Sequence, residues 1–329
     1  MSLYLGIDTS AYTSSLALVD KEMSVVADER ITLEVKKGQR GLRQSEALFL
    51  HIKNLPHLFA SVKNRLLNRE VEAVAVSAFP RRVKGSYMPV FIAGVSLVES
   101  LSCFTGTPLY KVSHQEGHIM AGMQGNRGLM SKKEILAVHF SGGTSEILHV
   151  KLGGANFLDI NTGLSSTDLH AGQLIDRVGV AMGLSFPAGK ELEKLALQSS
   201  AADIPTIPSS VSEKGFSFSG AETRALSLIK SGVGYQDVAY AVLRTIANTL
   251  EKSILLEAQK HGLREVLLVG GVMANSLIRQ RLLARLEHPA VGLKLHFAEP
   301  SLSTDNAVGV AMLAAYLSEK RNEACETNG

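Results

Sequence analysis

The sequence predicts an α/β protein built from two halves that begin alike. Leu3-Tyr4-Leu5-Gly6-Ile7-Asp8-Thr9-Ser10, continued to Asp20, reads as strand, polar turn, strand. Ile135 to Val150 repeats that order around Ser141-Gly142-Gly143-Thr144-Ser145. Val71 to Ser77, Met88 to Phe104 and Pro108 to Val112 then give strand, helix, strand, the order of a parallel sheet covered by helices with its chemistry at the carboxyl ends of the strands. A pattern that recurs after a polar, glycine-containing linker (Gly122 to Lys133) points to duplication, with one half over residues 1–130 and the other over 131–329.

In the opening hairpin, backbone N–H groups and hydroxyls such as that of Ser10 can meet phosphate oxygens, while Asp8 helps to hold a cation or water. A turn rich in Ser and Thr is also, more simply, a turn. A helix follows from about Glu46 to Asn68, with Leu48, Ile52, Leu55, Leu58, Phe59 and Val62 as its apolar face. The strand at Val71–Ser77 feeds a loop, Phe79 to Ser86, and the helix from Met88. The strand ending at Val112 delivers His114-Gln115-Glu116-Gly117-His118. On a helix, histidines four residues apart stack on one face and can share a metal ion, or they can be two ordinary histidines. A zinc-peptidase reading needs a glutamate directly after the first histidine. Glu116 instead stands two residues on, roughly 200° round the helix at about 100° per residue, so the water-activating base is missing.

The second half continues with a polar loop (Gly163 to His170), a helix (Ala171 to Met182), the turn Pro187-Ala188-Gly189-Lys190, the segment Phe216-Ser217-Phe218-Ser219-Gly220, and helix to about His261. Val266 to Asn275 is a buried strand breaking at Gly270-Gly271 into a helix. Glycines there let a backbone approach a nucleotide closely, and a helix start offers unpaired N–H groups; close strand–helix packing is the other reading. His296 to Ala307 is a strand and loop leading into a helix over Val308–Leu317, and Asp305 at that helix start is placed to be a carboxylate ligand.

Composition narrows the classes. Hydrophobic residues at 45% and charged residues at 20% fit a globular protein, and 329 residues suffice for two cores. Cys103 and Cys325 lie too far apart in sequence to suggest a disulfide framework, which suits the cytoplasm. Neither a signal peptide nor a membrane span is expected. The absence of Trp and the 5% aromatic content argue against carbohydrate platforms and stacked single-stranded nucleic acid. Between Lys36 and Lys84, eleven Lys and Arg oppose only Glu46, Glu70 and Glu72, a field that would attract phosphates or RNA or would simply be a solvated face.

Two glycine-hydroxyl hairpins, a double-glycine turn and a duplicated α/β layout resemble the actin–hexokinase–Hsp70 (ASKHA) superfold, whose two lobes flank a cleft. The segments HQEGH, FSFSG, VGGVMAN and STDNA, in that order, resemble the TsaD family of tRNA threonylcarbamoyladenosine synthases, once labelled glycoproteases. The resemblance runs from LGIDTS to TDNAVGVAMLA. It implies that His114, His118 and Asp305 ligate one divalent metal, for which two imidazoles and a carboxylate suit zinc or iron alike. It further implies that Asp176 contacts a ribose, that Gly189 belongs to a substrate loop, that Asn275 beside Gly270 and Gly271 binds nucleotide, and that Ser141, Gly142 and Gly143 form a second phosphate hairpin. The implied ligand is an adenylate or ATP. The implied partners are tRNA and a complex with a smaller homologue and an ATPase.

The chain departs from the family at Gly38–Gln44, at Phe79–Gly85, at Ser141–Ser145 (SGGTS for SGGHT), at Asp168–Gly172, at Pro187–Lys190 and in the opening turn, which reads Asp8 to Ser14. It is thus read as a divergent member or paralogue. The expected activity is transfer of a threonylcarbamoyl group from its adenylate to N6 of adenosine 37 of tRNA. A carbamoyltransferase with another acceptor and a non-catalytic nucleotide-binding regulator stand as alternatives.

Overall fold

In the computed structural model, which describes residues 2–10, 12–34, 42–66, 69–154, 157–200 and 204–326, the opening hairpin grows into a five-stranded sheet. β1 (Leu3–Asp8) pairs antiparallel with β2 (Thr13–Asp20), and β2 with β3 (Val25–Thr32). β4 (Val71–Phe79) and β5 (Leu109–Ser113) extend the other side in parallel, giving the order β3-β2-β1-β4-β5. Helices α1 (Gln44–Val62) and α2 (Phe91–Thr105) lie in the connections, and α3 (His114–Met123) starts where β5 ends.

The second half repeats the plan. β6 (Glu134–Phe140), β7 (Ser145–Gly154) and β8 (Phe157–Ser165) are followed by α4 (Ala171–Ala181), α5 (Gly189–Ala196), the small pair β9 (Ser210–Ser212) and β10 (Gly215–Ser217), α6 (Ser219–Lys230) and α7 (Tyr235–His261). β11 (Glu265–Val269), α8 (Ser276–Leu286) and β12 (Lys294–Phe297) complete a sheet of order β12-β11-β6-β7-β8. Replacing β1 to β5 by β6, β7, β8, β11 and β12 converts one sheet order into the other, so the predicted duplication is present in the topology. α9 (Val308–Glu326) ends the chain.

Two strands exceed the expectation, and both are sheet edges. β3 carries Asp28, Glu29 and Arg30 among its apolar residues, and β8 runs through Gly163–Ser165, which read as loop. An edge strand needs less apolar alternation and tolerates charge, so its sequence signal is weak. The linker beginning at Gly122 starts later than predicted, because α3 continues to Met123. Of the predicted helix Glu46–Asn68, the α-helical part ends at Val62; Asn68, like Lys36, Lys37, Gly38, Gln39, Arg40 and Gly41, lies outside the described residues.

Packing divides the chain into two units, Met1–Arg127 with Leu152–Asp159 and Ser301–Gly329, and Gly128–Lys151 with Ile160–Pro300. The segment from Ser301 thus packs with the first unit, and it takes Asp305 along. The cause is apolar burial: Val308 to Ala315 of α9 lie almost wholly out of solvent against β1, β2, β4 and α3.

In β1 the odd residues Leu3, Leu5 and Ile7 join the core that holds Leu55 and Leu58 of α1 and Ala93 and Val98 of α2. Strand alternation sends Gly6 and Asp8 to the opposite face. There a side chain on Gly6 would run into the backbone of Ala307 and Ala311. Gly309 meets α3 in the same way, since a Cβ would overlap the carbonyl oxygen of Gly117 and stand 2.5 Å from the nitrogen of Ala121. Helix backbones in such contact exclude even a methyl group. Gly309→Ala is expected to destabilise by about 1–3 kcal/mol, as overpacking does, while Gly128→Ala, with no atom within 4 Å of the new Cβ, stays within about 0.5 kcal/mol; chemical denaturation of both variants checks this.

Candidate functional site

The first unit brings four of the sequence-selected residues together. Ser113 caps α3 reciprocally: its Oγ accepts from the Glu116 N–H at 3.1 Å, and its own N–H donates to Glu116 Oε2 at 2.6 Å. Arg82 holds the same carboxylate through Nε and Nη2, each at 3.2 Å. Glu116 is thus consumed by the helix cap and by an ion pair with the exposed Arg82, in agreement with its sequence position off the histidine face. The start of α3 fixed in this way carries His114 and, one turn on, His118.

The Nε2 atoms of the two histidines are 3.0 Å apart, and Asp305 Oδ1 lies 3.4 Å from that of His118 and 3.7 Å from that of His114. A tetrahedral ion with bonds of about 2.0–2.1 Å holds its ligand atoms roughly 3.3 Å apart. The three separations straddle that value, so the donor set fits one metal ion with little movement. Two imidazoles and one carboxylate match zinc or iron(II) with positions left for substrate oxygen.

Asp8 supports this trio from behind. Its Oδ2 accepts from His114 Nδ1 at 2.8 Å and from Ser77 Oγ at 2.8 Å, and its Oδ1 accepts from the Ser10 N–H at 2.7 Å. With its proton held on Nδ1, His114 directs Nε2 at the ligand triangle as the nitrogen that can lose its proton to a metal. The hairpin aspartate, expected to help hold a cation or water, thus lies directly behind the candidate metal trio and orients His114. Ser77 carries no signal of its own in the sequence; its place on β4, adjacent to β1, emerges only from strand pairing. Ser10 is buried, and its Oγ has no hydrogen-bond partner among the described residues.

Burial alone would disfavour both charges of the Asp8–His114 pair, but their mutual attraction and hydrogen bonding prevail. Asp8 is held well below the usual carboxylate range, and His114 is pushed up from 6.5 to about 9. Burial also works against the charge of Asp305, yet hydrogen bonding from His118 and the charges of both histidines keep its carboxyl below the ordinary value.

The nucleotide-type residues gather in the second unit. Gly270, at φ +98°, could not bear a side chain, because a Cβ would overlap the backbone of Phe140 at the end of β6. Gly271, Gly142 and Gly143 face open space, with nothing within 4 Å of the position an added methyl would take. The pair thus divides its work: Gly270 packs one strand end on the next, and Gly271 leaves room for a ligand. The Ser141 carbonyl accepts from Gly172 N–H at 3.2 Å, tying this turn to α4. Asp176 of α4 accepts from Ala188 N–H at 2.8 Å, setting the residue before Gly189, and burial raises its pKa. Glu193 of α5 accepts from Ser276 N–H at 2.7 Å. Asn275 Oδ1 caps α8 by accepting from Ile278 N–H at 3.0 Å, which leaves the amide nitrogen for any ligand contact. These hydrogen bonds, with the Gly270–Phe140 contact, close a ring from β6 through α4, α5 and α8 to β11.

Nothing in the sequence distinguishes Glu193 from Glu191, so its role is visible only in the fold. Asp168 stands in the sequence only as part of an altered segment. Its carboxylate accepts from the Phe218 N–H at 2.9 Å, the Ser219 N–H at 3.2 Å and Ser217 Oγ at 2.5 Å, and so anchors the FSFSG segment.

The family described as "TsaD: tRNA N6-adenosine threonylcarbamoyltransferase" matches residues 25–312. Relatives bearing the name tRNA N6-adenosine threonylcarbamoyltransferase include one from Thermus thermophilus, 30% identical over 325 residues covering 94% of this chain and 91% of its own. Another, from Sulfurihydrogenibium, is 29% identical over 317 residues, covering 93% and 88%. Among solved structures, component A of the Acidaminococcus fermentans (R)-2-hydroxyglutaryl-CoA dehydratase aligns at a TM-score of 0.59 and 15% identity, over 97% of this chain and 100% of that one. A ROK-family glucokinase from Streptomyces griseus, solved with glucose and AMPPNP, aligns at 0.53 and 12%, over 95% and 99%. The fold is that of the actin–hexokinase–Hsp70 group.

Two outcomes are expected at the trio. Below pH 9 metal uptake must expel the proton held by His114, so apparent affinity for zinc falls about tenfold per pH unit on acidification; competition titrations between pH 6 and 9 measure this. In chelated protein the raised His114 contributes stability that is complete below 6.5 and lost as pH rises through about 9. The melting temperature should therefore decline across that window, and a flat profile would remove the Asp8–His114 ion pair.

Proposed function

The chain belongs to the TsaD family of tRNA N6-adenosine threonylcarbamoyltransferases, and from that premise we propose that it moves a threonylcarbamoyl group from threonylcarbamoyl-adenylate to N6 of adenosine 37 of tRNA. The observation that carries the reading is the triangle of His114, His118 and Asp305 with Asp8 behind it. A donor set of this kind, retained and oriented, is what a transferase needs and a regulatory scaffold does not. That also disfavours the non-catalytic alternative.

When bound, the metal supplies Lewis-acid polarisation and a template for the substrate's oxygens. The residues of the chain do the rest. Asp8 holds the Nδ1 proton of His114, so the proton that metal binding displaces is the one on Nε2, at the ligand triangle. The open positions at Gly142, Gly143 and Gly271 accommodate the adenylate, whose phosphate meets backbone N–H donors. The exocyclic amine of the adenosine attacks the carbamoyl carbon, the new N–C bond forms as the C–O bond to phosphate breaks, AMP leaves with the electron pair, and the proton of the amine passes to solvent. No protein nucleophile takes part, so positioned donors and alignment account for the rate.

A tRNA substrate supports a cytoplasmic location; no helix among the described residues is long and apolar enough to cross a membrane. The family resemblance adds a complex with a smaller homologue and an ATPase, which pull-down of the purified chain with each would test.

Purified protein given threonylcarbamoyl-adenylate and tRNA is expected to yield modified adenosine 37, read by nucleoside mass spectrometry. Unmodified tRNA, in conditions where the Thermus thermophilus relative is active, would reject the acceptor. His118→Ala and Asp305→Ala should lower kcat/KM about 100-fold or more, and Asp8→Asn should weaken metal binding by about 10–100-fold, measured by metal analysis beside the rates.

A further inference from the structure

A cavity of mixed lining lies in the second unit, between α7 and α8, and none of the nucleotide-motif residues lines it. Its volume is about 310 Å³, the lower end of the range for small-molecule sites. Arg244, Arg281 and Arg285 line it together with Tyr240 and Gln280, over an apolar floor that includes Leu243. No carboxylate lines it. Glu251 lies beside the rim and pairs with Arg281 at 3.3 Å and with Arg285 at 3.0 Å. Three guanidiniums against one carboxylate leave two positive charges uncompensated. The Nη2 of Arg244 donates to the Pro205 carbonyl at 3.1 Å, which uses one of its five donors and none of its charge. Arg281 keeps its Nε–H buried with no acceptor among the described residues. A buried donor of that kind calls for an acceptor.

We propose that this cavity takes one nucleotide unit of an RNA strand, the phosphate on the arginines and the sugar or base against Tyr240 and the apolar floor. Arginine forks match phosphate geometry in a way that other cations do not. A strand is favoured over a free anion because the cavity offers an apolar floor and an aromatic ring as well as charge. The proposal rests on the tRNA reading above and adds a contact surface to it, away from the residues assigned to metal and adenylate.

The test uses full-length, metal-loaded protein and an unmodified tRNA transcript, with binding followed by fluorescence anisotropy from 50 to 300 mM salt. Ala284→Glu and Gln280→Glu bring a carboxylate to exposed lining positions without removing any native contact, and Arg244→Gln removes one guanidinium. Each is expected to weaken tRNA binding about tenfold at low salt and to flatten the slope of log K against log salt by about 1, with metal content unchanged in all three and melting temperature unchanged in the two carboxylate variants. Ala284→Lys, equal in bulk but opposite in charge, should retain or raise affinity, which a merely structural perturbation would not do. If the carboxylate variants bind tRNA like the wild type, the cavity is not the site, while modification of adenosine 37 by wild type leaves the transferase reading intact. Competition by AMP or inorganic pyrophosphate at micromolar concentration, with tRNA affinity indifferent to the variants, would assign the cavity to a free nucleotide and overturn the RNA proposal. Wild type that neither binds nor modifies tRNA would defeat both.

Discussion

The close approach of α9 to α3 and β1 is the contact on which the meeting of His114, His118 and Asp305 depends. Gly6, Gly117 and Gly309 thin the facing surfaces until backbone meets backbone, and the apolar residues Val308 to Ala315 supply the burial that drives the helix down. Asp305 stands on the loop just ahead of that helix. Its distance from the histidines is therefore set by helix packing and not by the loop's own preferences, which gives a carboxylate on a loop the positional accuracy of the core. The glycine inside the HQEGH segment thereby acquires a reason: it sits under Val310 and Gly309.

Charge burial at the same place is tolerated because every group answers another. Asp8 is almost fully enclosed and would be costly alone. It is met by one imidazole, one hydroxyl and one backbone N–H. Glu116, equally enclosed, is met by Arg82 and the Ser113 N–H. The two carboxylates serve one short helix in different ways: Asp8 fixes the tautomer of its first residue, and Glu116 fixes its starting turn. Both duties are supporting ones, and this is why the glutamate beside the histidines does not make a hydrolase.

In the second unit, positioning comes from a closed circuit of hydrogen bonds. Asp176, Glu193 and Asn275 each spend an oxygen on a helix start or a turn. The N-termini of α4, α5 and α8 and the ends of β6 and β11 are thus locked together, and the glycines that face open space lie on that rigid frame. A nucleotide site of backbone donors needs such rigidity, since donors that must reorganise lose much of their advantage. Asp168 does the same for the FSFSG segment, which explains how the short polar hairpin of β9 and β10 can hold a defined place.

Local periodicity determined much of this protein. The i, i+4 histidines, the repeated hairpins, the double-glycine break and the core helices are all patterns of a few residues, and the structure contains them. The displaced glutamate was legible too, because about 100° per residue is a property of one helix. The family order of motifs further tied Asp305 to the histidines, but only tertiary packing decided how they meet, since that depends on glycines contributed by three separate elements. That Asp8 partners His114 was not legible for the same kind of reason: strand alternation puts it on the face that α3 and α9 cover, and no local pattern reveals what covers a face. The edge strands β3 and β8 were illegible because solvent on one side permits charge where alternation would otherwise speak. Sequence states what each segment prefers through interactions within a few residues; which segments then touch is a sum of long-range burial terms that belongs to the folded chain as a whole.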